Sequence, residues 1–444
     1  MDIRLNLVDE EEYVDVEIST SQDQHSSQAF GSIDIAQEEP LKYLDFVSKY
    51  IDSISEALRP VNVRIHDNPE LKYEEFFAHE TLTTFMKTRK GWKVVPSAYG
   101  IPTAFIAEYD SGKKGPVISF NAEYDALEGI GHSCGHNLIA TCALAGALSA
   151  GEAMTKFSLP GKIILYGTPA EEGGGGKIKL LDAGAYADHK VDISLISHPG
   201  KVADCALMRT NAYVSFKVEY FGKEAHAAAA PWEGINALDA LITAYNALSV
   251  LRQQTMPGDI IQGHITDGGA TPNIIHAYAA GVFVVRALSK QRLAELRTNV
   301  NKCFKAGAEA TGATLKITEV ISYDDHVPNQ ALCKISRAAM NALGSDIPVS
   351  KIDIVRGATQ ASTDQGNISY AMPSVSLGFK IESVEGPHNP GFAKSARTME
   401  AHNAALRAGK ALAATGLEAL TDPSLMKAAK DEFEEMIKRQ GSNI

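Results

Sequence analysis

Residues 117–137 read VISFNAEYDALEGIGHSCGHN, and this stretch decides the fold. The segment 116–120 is mainly apolar and predicts a strand, while 138–154 is rich in alanine and leucine and predicts a buried helix. Between them stand carboxylates, histidines and a cysteine. A strand, then polar residues, then a helix is typical of an open α/β sheet, in which sites lie at the carboxyl ends of the strands.

Outward from this stretch, short apolar segments alternate with helical ones. Further strands are predicted at 101–109, 162–167, 192–197 and 375–379, and further helices at 41–58, 330–343 and 398–414. This alternation predicts an α/β domain in which a mixed sheet is flanked by helices.

Between residues 208 and 321 the pattern changes. Strands are predicted at 212–220, 259–265, 278–286 and 314–320, with helices at 235–251 and 290–306. The order βαββαβ is the ferredoxin-like split arrangement, so a smaller α+β domain (208–321) is predicted to interrupt the larger one, which comprises 41–207 and 322–444. Residues 1–40, with the acidic run at 9–12, are predicted to form an acidic N-terminal extension.

Charge and composition limit the partners that the protein can have. The 444 residues carry 42 basic and 54 acidic side chains, a formal net charge of −12. This charge argues against nucleic acid or an anionic membrane as the main partner. The amino-terminal residues lack the basic head and apolar run of a secretory signal, so a cytoplasmic location is expected. Five dispersed cysteines, an odd number, argue against a disulfide framework.

Cysteine, histidine and glutamate side chains follow several of the predicted strands. Cys134 and His136 flank a glycine, which lets thiolate and imidazole point at one centre. Glu171 and Glu172 follow the strand 162–167 and precede four glycines; one carboxylate can bind a metal while the other moves protons. His198 and His388 follow two more strands. Four strand ends that each deliver a metal-binding residue type predict a metal centre.

The motifs together resemble one known family. They are His66-Asp-Asn-Pro-Glu-Leu71, the run from Asp125 to Asn137, Thr168-Pro-Ala-Glu-Glu-Gly-Gly-Gly-Gly176, His226 with its alanines, Gly268-Gly-Ala-Thr-Pro-Asn273 and Ser362-Thr-Asp-Gln-Gly-Asn367. In this order the chain is similar to the M20 metallopeptidases and amidohydrolases. Within that family it most resembles the branch of N-acyl-amino-acid amidohydrolases, which includes M20 domain-containing-2-like dipeptidases and aminobenzoyl-glutamate hydrolase subunits.

The resemblance implies a site with two divalent metal ions. Its implied ligands are Cys134, His136, Glu172, His198 and His388. Thiolate and imidazole favour Zn²⁺, although Mn²⁺ or Co²⁺ also fits such a ligand set.

The same resemblance implies roles for residues around the metals. Glu171 would be the general base, and Asp125 would orient a ligand imidazole. His226 would donate a hydrogen bond to the carbonyl oxygen, either from the partner subunit or from a closing lid. Asn273 and Arg286 would hold the amide and the carboxylate of the substrate. The smaller domain would then be a lid and a homodimer interface.

The reaction expected from these residues is hydrolysis of an amide next to a free carboxylate. N-acyl amino acids, dipeptides and aryl-glutamate amides form the expected class of small-molecule substrate. Three alternatives stay open: a metal-holding regulatory protein without turnover, the same site used for amide formation, and a cysteine hydrolase with Cys134 as nucleophile. Trp232 is expected to pack in a core, with lining of the substrate pocket as the alternative.

Overall fold

The computed structural model describes residues 41–441, with side chains through 439. The predicted acidic extension, 1–40, lies outside the described residues. The strands are β1 Trp92–Pro96, β2 Phe105–Asp110, β3 Val117–Glu123, β4 Lys162–Thr168, β5 Ile193–Gly200, β6 Ala212–Phe221, β7 Ile260–Asp267, β8 Tyr278–Ala287, β9 Thr314–Tyr323 and β10 Ser374–Lys380.

The helices surround these strands in chain order. They are α1 Leu44–Asp67, α2 Phe76–Lys87, α3 His136–Phe157, α4 Gly176–Asp182, α5 Ala185–Asp188, α6 Ala237–Leu251, α7 Lys290–Thr311, α8 Gln330–Ala342, α9 Ser350–Arg356, α10 Gln365–Ser369, α11 Pro390–Ala396, α12 Met399–Thr421 and α13 Pro423–Gly441. Short 3-10 turns occupy Ala98–Gly100, Pro231–Glu233 and Arg252–Gln254.

Six strands form the larger sheet in the order β1-β2-β4-β3-β5-β10. The pairs β4-β3, β3-β5 and β5-β10 are parallel, whereas β1-β2 and β2-β4 are antiparallel. The predicted mixed α/β sheet is confirmed. Because β3, β4, β5 and β10 run in the same direction, their carboxyl ends meet at one edge.

Helix α3 is the centre of the larger core. It is apolar nearly all round and packs against α1, α12 and the sheet. By length and composition it could span a membrane, but 89% of its apolar window is buried inside the protein. Its burial as a core helix therefore accounts for its apolar composition.

The smaller sheet has the order β7-β8-β6-β9 with every pair antiparallel. Helices α6 and α7 pack together on one face and bury apolar side chains of β6 and β8. This is the spatial order of a ferredoxin-like βαββαβ unit. Strand β7 lies at an edge of this sheet, and from Gln262 onward its residues are exposed.

Two local predictions differ from the structure. The strand expected at 101–109 begins only at Phe105, because the amide of Ala104 bonds to the carbonyl of Ile101 and closes a turn around Pro102. The expectation that Trp232 packs in a core is wrong. Its side chain is 78% exposed, because the turn Pro231–Glu233 holds it on an outer loop.

Candidate metal centre and active site

The shared sheet edge gathers the polar residues that follow the parallel strands. The loop after β3 carries Asp125 and Cys134, and the loop after β4 carries Glu171 and Glu172. His198 lies near the carboxyl end of β5, and His388 lies in the loop after β10. The structure therefore brings residues from four chain segments to one edge.

Gly135 is required between Cys134 and His136. Its φ is +81°, in the left-handed region, and a Cβ there would lie 2.6 Å from Cγ of Pro199. Any larger residue would be strained and would also collide with β5. Cys134 therefore lies just before helix α3, and His136 is the first residue of that helix.

Four of the expected metal ligands form two close pairs. Sγ of Cys134 lies 3.3 Å from Nε2 of His198. Nδ1 of His198 donates to the carbonyl of Pro199 at 2.8 Å, so Nε2 keeps its lone pair. Nε2 of His388 lies 3.2 Å from Oε1 of Glu172.

His136 is fixed in a tautomer that suits a metal ligand. Its Nδ1 lies 3.0 Å from Oδ1 of Asp125, a carboxylate that can only accept, so Nδ1 donates and Nε2 is the nitrogen left for a proton or a metal ion. The other carboxylate oxygen of Asp125 accepts the backbone N–H of Glu172 at 2.8 Å. Burial opposes protonation of His136, but Asp125 outweighs it and raises the pKa of the imidazole. The site therefore attracts positive charge.

Several buried polar atoms here have no hydrogen-bond partner. They include Nε2 of His136 and Oε2 of Glu123. Unpaired buried polar atoms are costly, and a cation that accepts their lone pairs removes the cost. Ligand atoms of three sets lie within 4.8 Å of one another: Cys134 with His136 and His198, Cys134 with Glu172 and His388, and His136 with Glu171 and Glu172. The residues fit divalent metal ions.

The Cys134 thiol is poorly suited to act as a free nucleophile. Burial, aided by the charge of Glu172, raises its pKa above the ordinary value of a cysteine. Without a cation the sulfur would thus stay protonated and weakly nucleophilic. A divalent ion reverses this balance, because a thiol that binds a metal is deprotonated.

Glu171 is buried and sits on a strained loop. Ala170, directly before it, has φ of +58°, which is uncommon for a residue with a Cβ. Oε2 of Glu171 lies 3.8 Å from Nε2 of His136. Burial, together with the charges of Glu123 and Glu172, raises the pKa of Glu171 well above the ordinary value. A carboxylate with a raised pKa is a stronger base.

Behind Glu171 lies a buried group of ions, which we call the lysine triad: Lys177, Glu123 and Asp364. Nζ of Lys177 lies 2.5 Å from Oε1 of Glu123 and 2.5 Å from Oδ1 of Asp364. The three side chains are at most 2% exposed. Burial works against the ammonium, but Asp364 and Glu123 outweigh it and raise the pKa of Lys177. The lysine stays charged and forms ion pairs with both carboxylates.

His226 and Asn273 lie together on the smaller domain. The amide of Ala227 bonds to the carbonyl of Asn273, and His226 pairs with Ile274 across the two loops. Both His226 and Asn273 are exposed. Within one subunit, and among the residues that the structure describes, neither forms a hydrogen bond or ion pair with the metal-binding cluster.

Arg286 is half-buried where the two domains meet. Its Nη1 donates to Oγ of Ser362 at 2.9 Å, and its guanidinium lies 4.7 Å from the ring centroid of Tyr213. In residues 41–439 it forms no ion pair with a carboxylate. Ser362 stands two residues before Asp364, so this cation contacts the segment that carries one member of the lysine triad.

Sequence reasoning missed several residues of this site. The sequence shows Glu123 and Lys177 as polar residues in buried segments, and Asp364 belongs to one of the family motifs. Nothing in the sequence indicates that these three side chains contact one another. Tyr323 was missed as well: its hydroxyl donates to the carbonyl of Glu171 at 2.7 Å. It lies three residues beyond the predicted strand 314–320, and that position carried no chemical signal.

Comparison with known proteins gives three results. The model of the peptidase dimerisation domain family matches residues 210–311. A Xaa-Arg dipeptidase from Mus musculus is 39% identical over 394 residues, which cover 86% of this chain and 90% of the relative. One of the subunits of the p-aminobenzoyl-glutamate hydrolase of Escherichia coli is 26% identical over 470 residues, covering 89% of this chain and 96% of that relative.

A solved structure shares the fold. A dinuclear metal-binding peptidase of the M20 family from Bacillus subtilis matches with a TM-score of 0.63 at 18% identity, covering 83% of this chain and 99% of the other. Together with the dipeptidase relative, this match confirms the family and the fold expected from the sequence motifs. The chain belongs to the M20 family of metallopeptidases and is a metal-dependent hydrolase of amide or peptide bonds.

Proposed function

We propose that the protein is a dipeptidase that uses two divalent metal ions and the base Glu171. The observation that carries the proposal is the convergence of five ligand side chains beside the buried carboxylate of Glu171. The ligands are Cys134, His136, Glu172, His198 and His388. Of the substrate classes expected from the motifs, dipeptides are favoured, because the Xaa-Arg dipeptidase is 39% identical over most of both chains.

The ligand set favours zinc. Cys134 contributes a sulfur, and His136, His198 and His388 contribute imidazole nitrogens, which suit a borderline-soft ion. Divalent ions held there supply Lewis-acid polarisation of the amide carbonyl and acidify water. Asp125 holds His136 in the orientation that presents Nε2 to the ion.

Glu171 moves the protons of the reaction. Its carboxylate takes a proton from the attacking water and passes it to the departing amine. Glu172 is placed differently, since its Oε1 faces His388 and its backbone is fixed by Asp125. The two adjacent glutamates therefore have different proposed roles: Glu171 is the base and Glu172 is a metal ligand.

Arg286 would bind the free carboxylate of the substrate. It is a half-buried guanidinium without an acidic partner in residues 41–439, and such a cation is available for a bidentate contact. Asn273 would hold the substrate amide, and His226 would donate to its carbonyl oxygen.

The substrate class is tested with metal-reconstituted protein and a panel of dipeptides and N-acyl amino acids. Xaa-Arg dipeptides lead the panel, followed by dipeptides with other carboxyl-terminal residues, N-acetyl amino acids and p-aminobenzoyl-glutamate. We expect the protein to release amine from dipeptides. This activity should be lost on chelation and restored by Zn²⁺. The measurement is the initial rate of amine release with each substrate.

The alternatives predict other outcomes of the same panel. Faster turnover of p-aminobenzoyl-glutamate or of N-acetyl amino acids would reassign the substrate. Activity that survives chelation would point to Cys134 as a nucleophile. Saturable metal binding without turnover of any amide would mean a regulatory protein, and net amide formation from supplied amine and acid would mean a biosynthetic role.

The protein is also proposed to be a homodimer through the smaller domain. Helix α6 exposes apolar side chains at Ile242, Tyr245 and Val250, and edge strand β7 exposes Ile265. An unpaired edge beside exposed apolar residues is suited to pairing with a second copy. A symmetric dimer would let His226 reach the partner's metal centre, since among the described residues it forms no hydrogen bond or ion pair with the centre of its own subunit.

Mixed dimers test this role of His226. Glu171→Gln and His226→Ala subunits, each inactive alone, are unfolded together and refolded at equal amounts. If His226 acts across the interface, each mixed dimer has one intact site, and about a quarter of the wild-type activity should return. Refolding each variant alone is the control. A mixture that stays as inactive as its components would show that His226 acts within its own subunit, and a His226→Ala protein that is active alone would show that His226 has no role.

A further inference from the structure

Three side chains form a continuous row across the smaller sheet. Tyr213 on β6 pairs with Arg286 on β8 and with Tyr323 on β9. Paired residues of neighbouring strands point to the same face. The guanidinium of Arg286 lies 4.7 Å from the Tyr213 ring centroid, and the rings of Tyr213 and Tyr323 lie 5.9 Å apart. We call this set the Arg-Tyr-Tyr row.

The row ends on the loop that carries the catalytic base. The buried hydroxyl of Tyr323 donates to the carbonyl of Glu171 at 2.7 Å and accepts the backbone N–H of Gly175 at 3.1 Å. One hydroxyl at the end of β9, in the smaller sheet, thus joins both ends of the segment 171–175 in the larger domain. A change in the position of Tyr323 would move the peptide that bears Glu171.

Side chains add to the backbone hydrogen bonds that hold this loop, such as the one from the amide of Gly173 to the carbonyl of Glu171 at 2.7 Å. It contains four consecutive glycines, 173–176, and glycine permits many backbone conformations. From the larger domain, Oε1 of Glu75 accepts the amide of Ala170, and the hydroxyl of Tyr73 donates to the carbonyl of Gly174. Among the described residues, the side-chain hydrogen bonds from the smaller domain to this loop come from Tyr323.

We propose that Tyr323 is a positioning residue that fixes Glu171 against the smaller domain, and that Tyr213 joins it to Arg286 so that the three act as one unit. The inference rests on the proposed function, in which Glu171 is the base and Arg286 binds the substrate carboxylate. A base must be held within hydrogen-bond reach of the proton it takes, and a small displacement is costly. Through the Arg-Tyr-Tyr row, the position of Glu171 depends on that of Arg286, the residue proposed to bind the substrate carboxylate.

The test is a double-mutant cycle of Tyr323→Phe and Tyr213→Leu on kcat and KM with the best dipeptide of the panel. Tyr323→Phe keeps the ring and removes the hydroxyl, and should lower kcat about tenfold, with KM and metal content unchanged. Tyr213→Leu should also lower kcat. If both act through one unit, the double variant should be no slower than the slower single variant.

Tyr220→Phe is the matched control. Its buried hydroxyl also donates to a backbone carbonyl of the smaller domain, that of Phe304 at 2.8 Å, and its removal should leave kcat unchanged. Thermal midpoints show whether each variant is folded; if Tyr323→Phe unfolds, Tyr213→Leu alone carries the test through its kcat and KM.

Three results would overturn the inference: an unchanged kcat in Tyr323→Phe, a change confined to KM, or additive effects in the double variant. A wild-type protein that hydrolyses no dipeptide would instead refute the proposed function. The two failures are therefore distinguishable.

Discussion

Glu171→Gln is expected to lower kcat by about 10³-fold while the protein keeps its bound metal. Glutamine has nearly the same shape as glutamate but cannot take the proton of water or pass it to the amine. The ligands Cys134, His136, Glu172, His198 and His388 remain in place. KM should change little, because the contacts proposed for the substrate belong to other residues. The measurement is kcat and KM together with the metal content of each protein.

The control for this substitution is Glu152→Gln, which makes the same chemical change at an exposed position on α3. It should match the wild-type protein in activity and metal content. If Glu171→Gln stayed within tenfold of wild-type kcat with full metal, another group would have to move the proton. If it lost the metal instead, Glu171 would be a ligand, and the division of labour with Glu172 would be wrong.

Much of the fold is predictable because its signals are local. Strands β3 to β6 and helices α3, α6 and α7 each carry an apolar pattern that identifies them without tertiary information. Strand β1 was missed: only Trp92 and Val94 are partly buried, and it lies at the sheet edge. Helix α13 was missed as well, since most of its residues are charged or polar and exposed.

The candidate site was predictable only in part, for a related reason. Each of the five expected ligands follows a strand of the parallel part of the sheet, so a rule about strand ends places them together. The lysine triad obeys no such rule: Lys177 and Asp364 are 187 residues apart, and their contact depends on how α4 packs against the turn before α10. The link from Tyr323 to Glu171 likewise depends on the packing of two domains.

Lys177→Met should produce the largest loss of stability, about 3–5 kcal/mol in the free energy of unfolding. Methionine fills a similar volume but leaves Glu123 and Asp364 buried without their cation. Removing one member of a buried ionic group exposes the others to the full cost of desolvation. The measurement is the urea midpoint of the metal-free protein, compared with wild type. Lys334→Met, at an exposed position on α8, is the control and should change the midpoint little.

The pH dependence of this loss identifies its cause. Burial already raises the pKa of Asp364. Without Lys177, folding at neutral pH must protonate the buried carboxyl groups or bury their charge without a cation. Below the ordinary carboxyl pKa of about 4 both states are protonated and the penalty disappears. The difference from wild type should therefore shrink as the pH falls toward 4, and adding Asp364→Asn should recover part of it at pH 7. A loss that did not vary with pH would mean that Lys177 stabilises the fold by packing, not by charge.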